Sequence, residues 1–175
     1  MDKVLDIGCG KRKAEPEAIG IDMSADSAAD KIWDLNQYPW PLESDQFTRI
    51  YMSHIIEHLA DPMRGMAEVY RVARNGANVF VVTPHFSSHN SFVDPSHTRH
   101  FAAGSFEYFT GRDFQTFAGS PYRFEIVDLR LTFGGNLVLD NLGRLLARLS
   151  LKWYERHAAW IFPALDIRCQ LCARK

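Results

Sequence analysis

Cysteine is scarce in this chain, and so are the features of secretion and membrane insertion. Three cysteines, at positions 9, 169 and 172 of 175 residues, are too few for a disulfide-built scaffold. The amino terminus shows no charged head, apolar stretch and cleavage site in succession, so a reducing, cytoplasmic setting is expected. No uninterrupted apolar run approaches the ~20 residues that cross a bilayer, and no transmembrane segment is expected. Charge of one sign is also missing: 20 Lys and Arg stand against 21 Asp and Glu. That balance removes nonspecific attraction to a polyanion and makes nucleic acid an unexpected partner. There is no internal repeat and no low-complexity tract, and the longest passage rich in glycine, proline and serine, Thr83 to Ser96, is too short to link domains. What is present is a 46% hydrophobic composition. At this length roughly 70% of the unfolded surface can be buried, enough for one globular domain over residues 1–175.

The apolar residues are grouped as in an α/β fold. Lys3-Val4-Leu5-Asp6-Ile7 is a short apolar run stopped by Gly8-Cys9-Gly10, the pattern of a buried strand entering a glycine turn. Similar runs recur at Ala18 to Asp22, Lys31 to Asp34, Thr48 to Met52 and Ala77 to Val82. A helix is expected between the last two. Asp61 suits its N-cap, Pro62 its first position and Asn75-Gly76 a left-handed stop, with Met63, Met66, Ala67, Tyr70 and Ala73 on one face. A helix joining two buried strands implies a parallel pair with a right-handed crossover. Farther on, Ser105 to Phe117 reads as short helices over a cleft, with Phe106, Tyr108, Phe109, Phe114 and Phe117. A strand is expected at Arg123 to Leu131 and another at Asp166 to Ala173. Between them a helix from Leu137 to about Trp160 carries Leu142, Leu145, Leu146, Leu149 and Trp153 on one face and Arg144, Arg148, Lys152 and Arg156 on the other.

In open α/β sheets the carboxyl ends of the strands form the binding crevice, which brings Gly8, Gly10, Asp22, Asp34 and Ser53 to one edge. A carboxylate at Asp22 is suited to both hydroxyls of a ribose. A dinucleotide-binding oxidoreductase would want a third glycine three residues beyond Gly10, where Lys13 stands. The segments VLDIGCG, IGIDMS, WDLNQYPWP, FTRIYMSHIIEHLADP and EVYRVARNGANVFVVTPH, in that order, resemble the class I methyltransferases that use S-adenosylmethionine, in their small-molecule branch.

The resemblance implies a Rossmann-like, mostly parallel seven-stranded sheet with helices on both faces. It also implies S-adenosyl-L-methionine as cofactor and a small-molecule methyl acceptor as partner. Asp6, Gly8 and Gly10 would then meet the methionine part of the cofactor, Asp22 the ribose, Met23 the adenine face, and Asp34 with Leu35 the adenine edge. Ser53 and His54 would face the methyl group. The chain departs from the pattern in its first crossover. Only Lys11 to Glu17 separate Gly10 from the next strand, so the usual first helix is expected to be shortened or absent. The positive field of its amino terminus would be lost, with Lys11, Arg12 or Lys13 as replacements, or else a solvated charge run. Residues 84–118 are expected to form a lid or substrate-side insertion.

Methyl transfer from a sulfonium is an in-line displacement in which the protein chiefly aligns the acceptor, and a base serves only acceptors that must lose a proton. His54, His85 and His97, in that order, are the candidate bases, while Glu57 reads as a structural acceptor. His85, His89, Asp94, His97 and His100 are suitable metal ligands in type, but their spacing does not match a compact zinc site, so no metal is expected. Cys169 and Cys172 lie three apart on an expected strand and point to opposite faces, against zinc or redox use. The long helix is expected to pack on its own sheet. Contact with anionic lipid is the lesser alternative, suggested by seven Lys and Arg against three Asp and Glu from Gly135 to Lys175. The rival to an enzyme is a noncatalytic cofactor-binding module left by the loss of helices.

Overall fold

The computed structural model describes residues 2–111 and 123–175. Strands β1 (Val4–Ile7), β2 (Ile19–Asp22), β3 (Lys31–Ile32), β4 (Phe47–Ser53), β5 (Ala73–Pro84), β6 (Phe124–Leu131) and β7 (Asp166–Ala173) form one sheet. Their order is β3-β2-β1-β4-β5-β7-β6. All neighbours are parallel except those of β7, which runs antiparallel to both β5 and β6. The expected Rossmann-like sheet is thus present. All four residues of β1 are buried, as a continuous apolar run requires when a strand is covered on both faces. Leu5, Ile7, Ile50, Met52, Val79, Val81 and Leu171 from neighbouring strands share one core.

No helix connects β1 to β2. The turn that replaces it is fastened by polar side chains instead. Ala14 N donates to Asp6 Oδ2 at 2.6 Å, and the Glu15 carboxylate accepts from Tyr51 Oη at 2.7 Å and Arg49 Nη2 at 2.8 Å, both on β4. Asp30 Oδ2 accepts from Gly20 N at 2.7 Å and from Lys13 Nζ at 2.6 Å.

Helix α1 (Pro62–Val72) starts as expected, with the Asp61 side chain accepting from Arg64 N. Its end is different. Ala73 is already extended and opens β5, so Asn75-Gly76 lies inside the strand and not at a helix stop. Gly76, at φ +80, falls where the pairing passes from Phe47 with Ala73 to Arg49 with Asn78. The left-handed glycine serves a bulge. Glu68 on α1 holds the segment after β3: its carboxylate accepts from Trp40 N at 2.7 Å and from Arg71 Nε and Nη2 at 2.9 and 2.7 Å.

After β5 come the single-turn helix α2 (Asn90–Val93) and a 3-10 segment, Ala103–Phe109. Phe106 and Phe109 of that segment are buried in the core, while Phe114 and Phe117 lie outside the described residues. The expected long helix is two: α3 (Leu137–Leu149) and α4 (Leu151–His157). Ser150 is extended between them and its Oγ caps α4 by accepting from Trp153 N. The expected packing of the leucine face on the sheet does not occur. Leu142, Leu145, Leu149 and Trp153 are between 42% and 74% exposed. The side that packs carries Gly143, where a Cβ would stand 2.5 Å from the Phe133 ring, together with Leu146 and Ala147. Only a residue without a side chain lets α3 approach Phe133 this closely, and that approach turns the leucines outward. Among the described residues no helix is long and apolar enough to cross a membrane.

Candidate functional site

The carboxyl ends of β1, β2 and β4 bring together the glycine turn, Asp22, and Ser53 with His54. Gly8 (φ +68) and Gly10 (φ +55) both adopt the left-handed conformation that glycine permits. They use their missing side chains differently. A Cβ on Gly8 would stand 1.9 Å from Ile55 Cδ1, whereas a Cβ on Gly10 would meet nothing within 4 Å. Gly8 is therefore closed by Ile55, and Gly10 presents bare backbone to open space. Beside it, Asp22 Oδ2 accepts from Gly10 N at 2.9 Å and Oδ1 from Ser24 N at 2.8 Å. Asp6, 4% exposed, lies beneath. Burial pushes its carboxyl above the ordinary value against the Ala14 hydrogen bond and the Lys13 charge.

The remaining cofactor candidates surround this turn. Met23 is 72% exposed at the end of β2. Trp33 N donates to Asp22 O, which places Asp34 next to that strand end, with Asp34 Oδ1 accepting from Asn36 N. Leu35 is buried in the core, its carbonyl accepting from Trp40 Nε1. Ser53 ends β4 and is exposed.

His54 follows Ser53 in a left-handed conformation, φ +54, with its N–H donating to Val82 O. A non-glycine residue in this region is strained and is held there by its surroundings. Its side chain is about half exposed, with Nδ1 3.4 Å from Glu57 Oε1. The Glu57 carboxylate raises the imidazole above its ordinary pKa, more than burial lowers it. Glu57 itself is 1% exposed, and its Oε2 accepts from Thr83 Oγ1 at 2.9 Å.

His85 is elsewhere in character. It is fully buried, Nδ1 accepts from Ser87 N and pairs with Ser87 Oγ at 2.7 Å, and Nε2 donates to Glu155 Oε1 at 3.1 Å. Both ring nitrogens are engaged: Nε2 ties the end of β5 to α4, and Nδ1 holds the turn at Ser87. His97 reaches the end of β4 from the segment after β5, its ring 4.6 Å from that of His58. Thr98 secures this approach, its N–H and Oγ1 both donating to Glu57 O.

The fold and crevice have the form expected of methyl transfer, and a family model described as a methyltransferase domain matches residues 2–119. The chain belongs to the methyltransferase-domain family. It is a class I methyltransferase, an enzyme whose cofactor is S-adenosylmethionine. Among solved structures, this methyltransferase is similar to an S-adenosylmethionine-dependent methyltransferase from Archaeoglobus fulgidus (17% identity, TM-score 0.67, covering 98% of this chain and 86% of that one). It is also similar to the YcgJ protein of Bacillus subtilis (16%, 0.64, 99% and 92%). A third is an S-adenosylmethionine-dependent methyltransferase from Mesorhizobium loti (14%, 0.61, 97% and 90%). No curated protein matches the sequence.

The donor set fits the methyltransferase's cofactor. The open side of Gly10 leaves room that a Cβ would fill, and Asp22 offers carboxylate oxygens beside it. Two contributors were not evident in the sequence of the methyltransferase. Ile55 closes Gly8, and Glu15 anchors the shortened turn to β4. Neither carries a periodic or spacing signal, since each acts on a residue distant in the chain.

Proposed function

We propose that this methyltransferase transfers the methyl group of S-adenosylmethionine to a small-molecule acceptor, within a crevice bounded by β1, β2, β4 and the segment beginning at Pro84. The observation that carries the reading is the Asp22 carboxylate bonded to Gly10 N beside an α-carbon with open space before it. Asp22 would hold the ribose hydroxyls, Gly10 would admit the methionine portion, and Asp6, Met23 and Asp34 would complete the surround. When bound, the cofactor supplies an electrophilic methyl group on a sulfonium centre. The chain's own residues align the acceptor and shield it from water. His54 is the proposed base. Its Nδ1 faces Glu57, leaving Nε2 to take a proton from a hydroxyl or ammonium acceptor. The described part of the 84–118 segment lies against the turn after β4 through Thr98, which supports its reading as a lid. Balanced charge supports a small molecule over nucleic acid. Three unpaired cysteines support a cytoplasmic setting.

Calorimetry with S-adenosylhomocysteine tests the cofactor site. Asp22→Asn keeps the size of the side chain but loses one acceptor, and affinity is expected to fall by at least about tenfold, or ~1.4 kcal/mol. Equal affinity in the two proteins overturns the assignment of Asp22. Transfer of labelled methyl to hydroxyl- and amine-bearing small molecules, with protein and RNA fractions in parallel, tests the acceptor. Label found only in macromolecules refutes the small-molecule reading.

A further inference from the structure

We propose that Glu57, His58 and His97 form a binding site for one divalent transition-metal ion of the zinc class. One ligand atom from each residue lies within 4.8 Å of the other two. The carboxylate and two imidazoles make an N2O donor set suited to zinc and its neighbours in the first transition row. Sequence spacing conceals this set. Glu57 and His58 belong to the turn after β4, and His97 is delivered by the segment after β5.

Two observations beyond proximity point to an ion. First, Glu57 is 1% exposed and its Oε1 has no hydrogen-bond partner, His54 Nδ1 being 3.4 Å away. The His54 contact is an ion pair without hydrogen-bond geometry, so this buried oxygen keeps acceptor capacity that coordination to a cation would use. Second, the hydrogen bonds around both histidines prepare the same nitrogen. Ser96 Oγ donates to Asp94 Oδ1 at 2.6 Å, so it accepts from His58 Nδ1 at 3.0 Å. Ser91 O, a carbonyl, accepts from His97 Nδ1 at 3.3 Å. Each ring therefore carries its proton on Nδ1 and leaves a lone pair on Nε2. This is the outer arrangement that orients metal-bound histidines.

Ligand atoms around zinc stand ~3.3 Å apart when the bonds are ~2.0 Å, so the three groups draw inward by rotation of two half-buried rings. Three protein ligands leave a position for an exchangeable oxygen. With the methyl acceptor in the crevice proposed above, that position favours acceptors bearing a hydroxyl or carboxylate oxygen. This last role rests on the proposed function; the ion site does not. Bound metal would also join the segment after β5 to the sheet through His97.

The test uses the full chain without an affinity tag, stripped with chelator and titrated with zinc sulfate in a calorimeter. One ion per chain is expected. His58→Ala and His97→Ala should each weaken binding by at least about tenfold, while His89→Ala, an exposed histidine outside the group, leaves it unchanged. Zinc should raise the melting temperature of the parent protein and not that of His97→Ala. His97→Gln serves as a second variant should the alanine form fold poorly. Binding below one ion per chain, or parental affinity in the variants at 58 and 97, overturns the site. Undiminished methyl transfer by zinc-free enzyme overturns the acceptor role alone. Zinc-loaded enzyme that transfers no methyl group refutes the proposed function and leaves the ion site standing.

Discussion

Substituting Gly8 by alanine separates two uses of glycine in the same turn. The added methyl would lie 1.9 Å from Ile55 Cδ1, 2.2 Å from Cγ1 and 3.5 Å from Cβ, on a backbone with φ +68. The left-handed conformation costs an L-residue ~1–2 kcal/mol. Overpacking against Ile55, a β-branched side chain with few alternative rotamers, adds ~1–3 kcal/mol. Gly8→Ala is therefore expected to destabilise the protein by ~2–5 kcal/mol. Gly10→Ala meets open space at φ +55 and should cost only the backbone share, ~1–2 kcal/mol, while weakening S-adenosylhomocysteine binding. Urea unfolding followed by circular dichroism measures both. A double-mutant cycle identifies the clash, because in an Ile55→Ala background Gly8→Ala should fall to the ~1–2 kcal/mol of backbone strain. Equal cost of Gly8→Ala in both backgrounds refutes the argument from Ile55.

Glu68 gives a pH-dependent prediction. Burial raises its carboxyl, but the Arg71 and Trp40 hydrogen bonds outweigh that and hold it below the ordinary value. A folded-state pKa depressed in this way contributes stability above the unfolded value of ~4.3, which is lost as pH falls through the folded one. Glu68→Gln should cost ~1.5–3 kcal/mol at pH 7 and progressively less as the pH is lowered from about 5 toward 3; urea midpoints across that range check it. A gap that widens on acidification contradicts the assignment. For His85, replacement by phenylalanine removes the acceptor of Ser87 N and one of the two donors to Glu155 Oε1, and should cost ~1–3 kcal/mol in the same assay, with S-adenosylhomocysteine affinity unchanged. A stable variant with weakened cofactor binding would place His85 in the site after all.

The sheet was readable where one strand's own residues decide its fate. Buried runs such as Val4 to Ile7, and the caps Asp61 and Pro62, depend on local chemistry. The missing first helix was likewise legible from the shortness of the Lys11 to Glu17 passage. The errors came where packing against a distant partner chose between local options. Asn75-Gly76 suits a helix stop and a bulge equally, and pairing with β4 decides for the bulge. The leucine periodicity of α3 points to a buried face, yet the close contact of Gly143 with Phe133 selects a neighbouring one that shares only Leu146 with it. Among the site residues, Asp22 and Gly10 stand at a strand end that the sequence announces. The meeting of His97 with Glu57 and His58 depends on how the segment after β5 folds back, for which the chain offers no periodic cue.

The reversed strand has a bearing on how the chain is assembled. β7 sits between β5 and β6, so β6 is made earlier yet has no place in the sheet until its later neighbour arrives. Until then the rim of β5 remains an open template of unpaired amides and carbonyls, the arrangement by which nascent chains join one another in error. Synthesis of Asp166 to Ala173 is thus the event that seals the half-built sheet. Any agent that binds the growing polypeptide earlier would protect it at that rim.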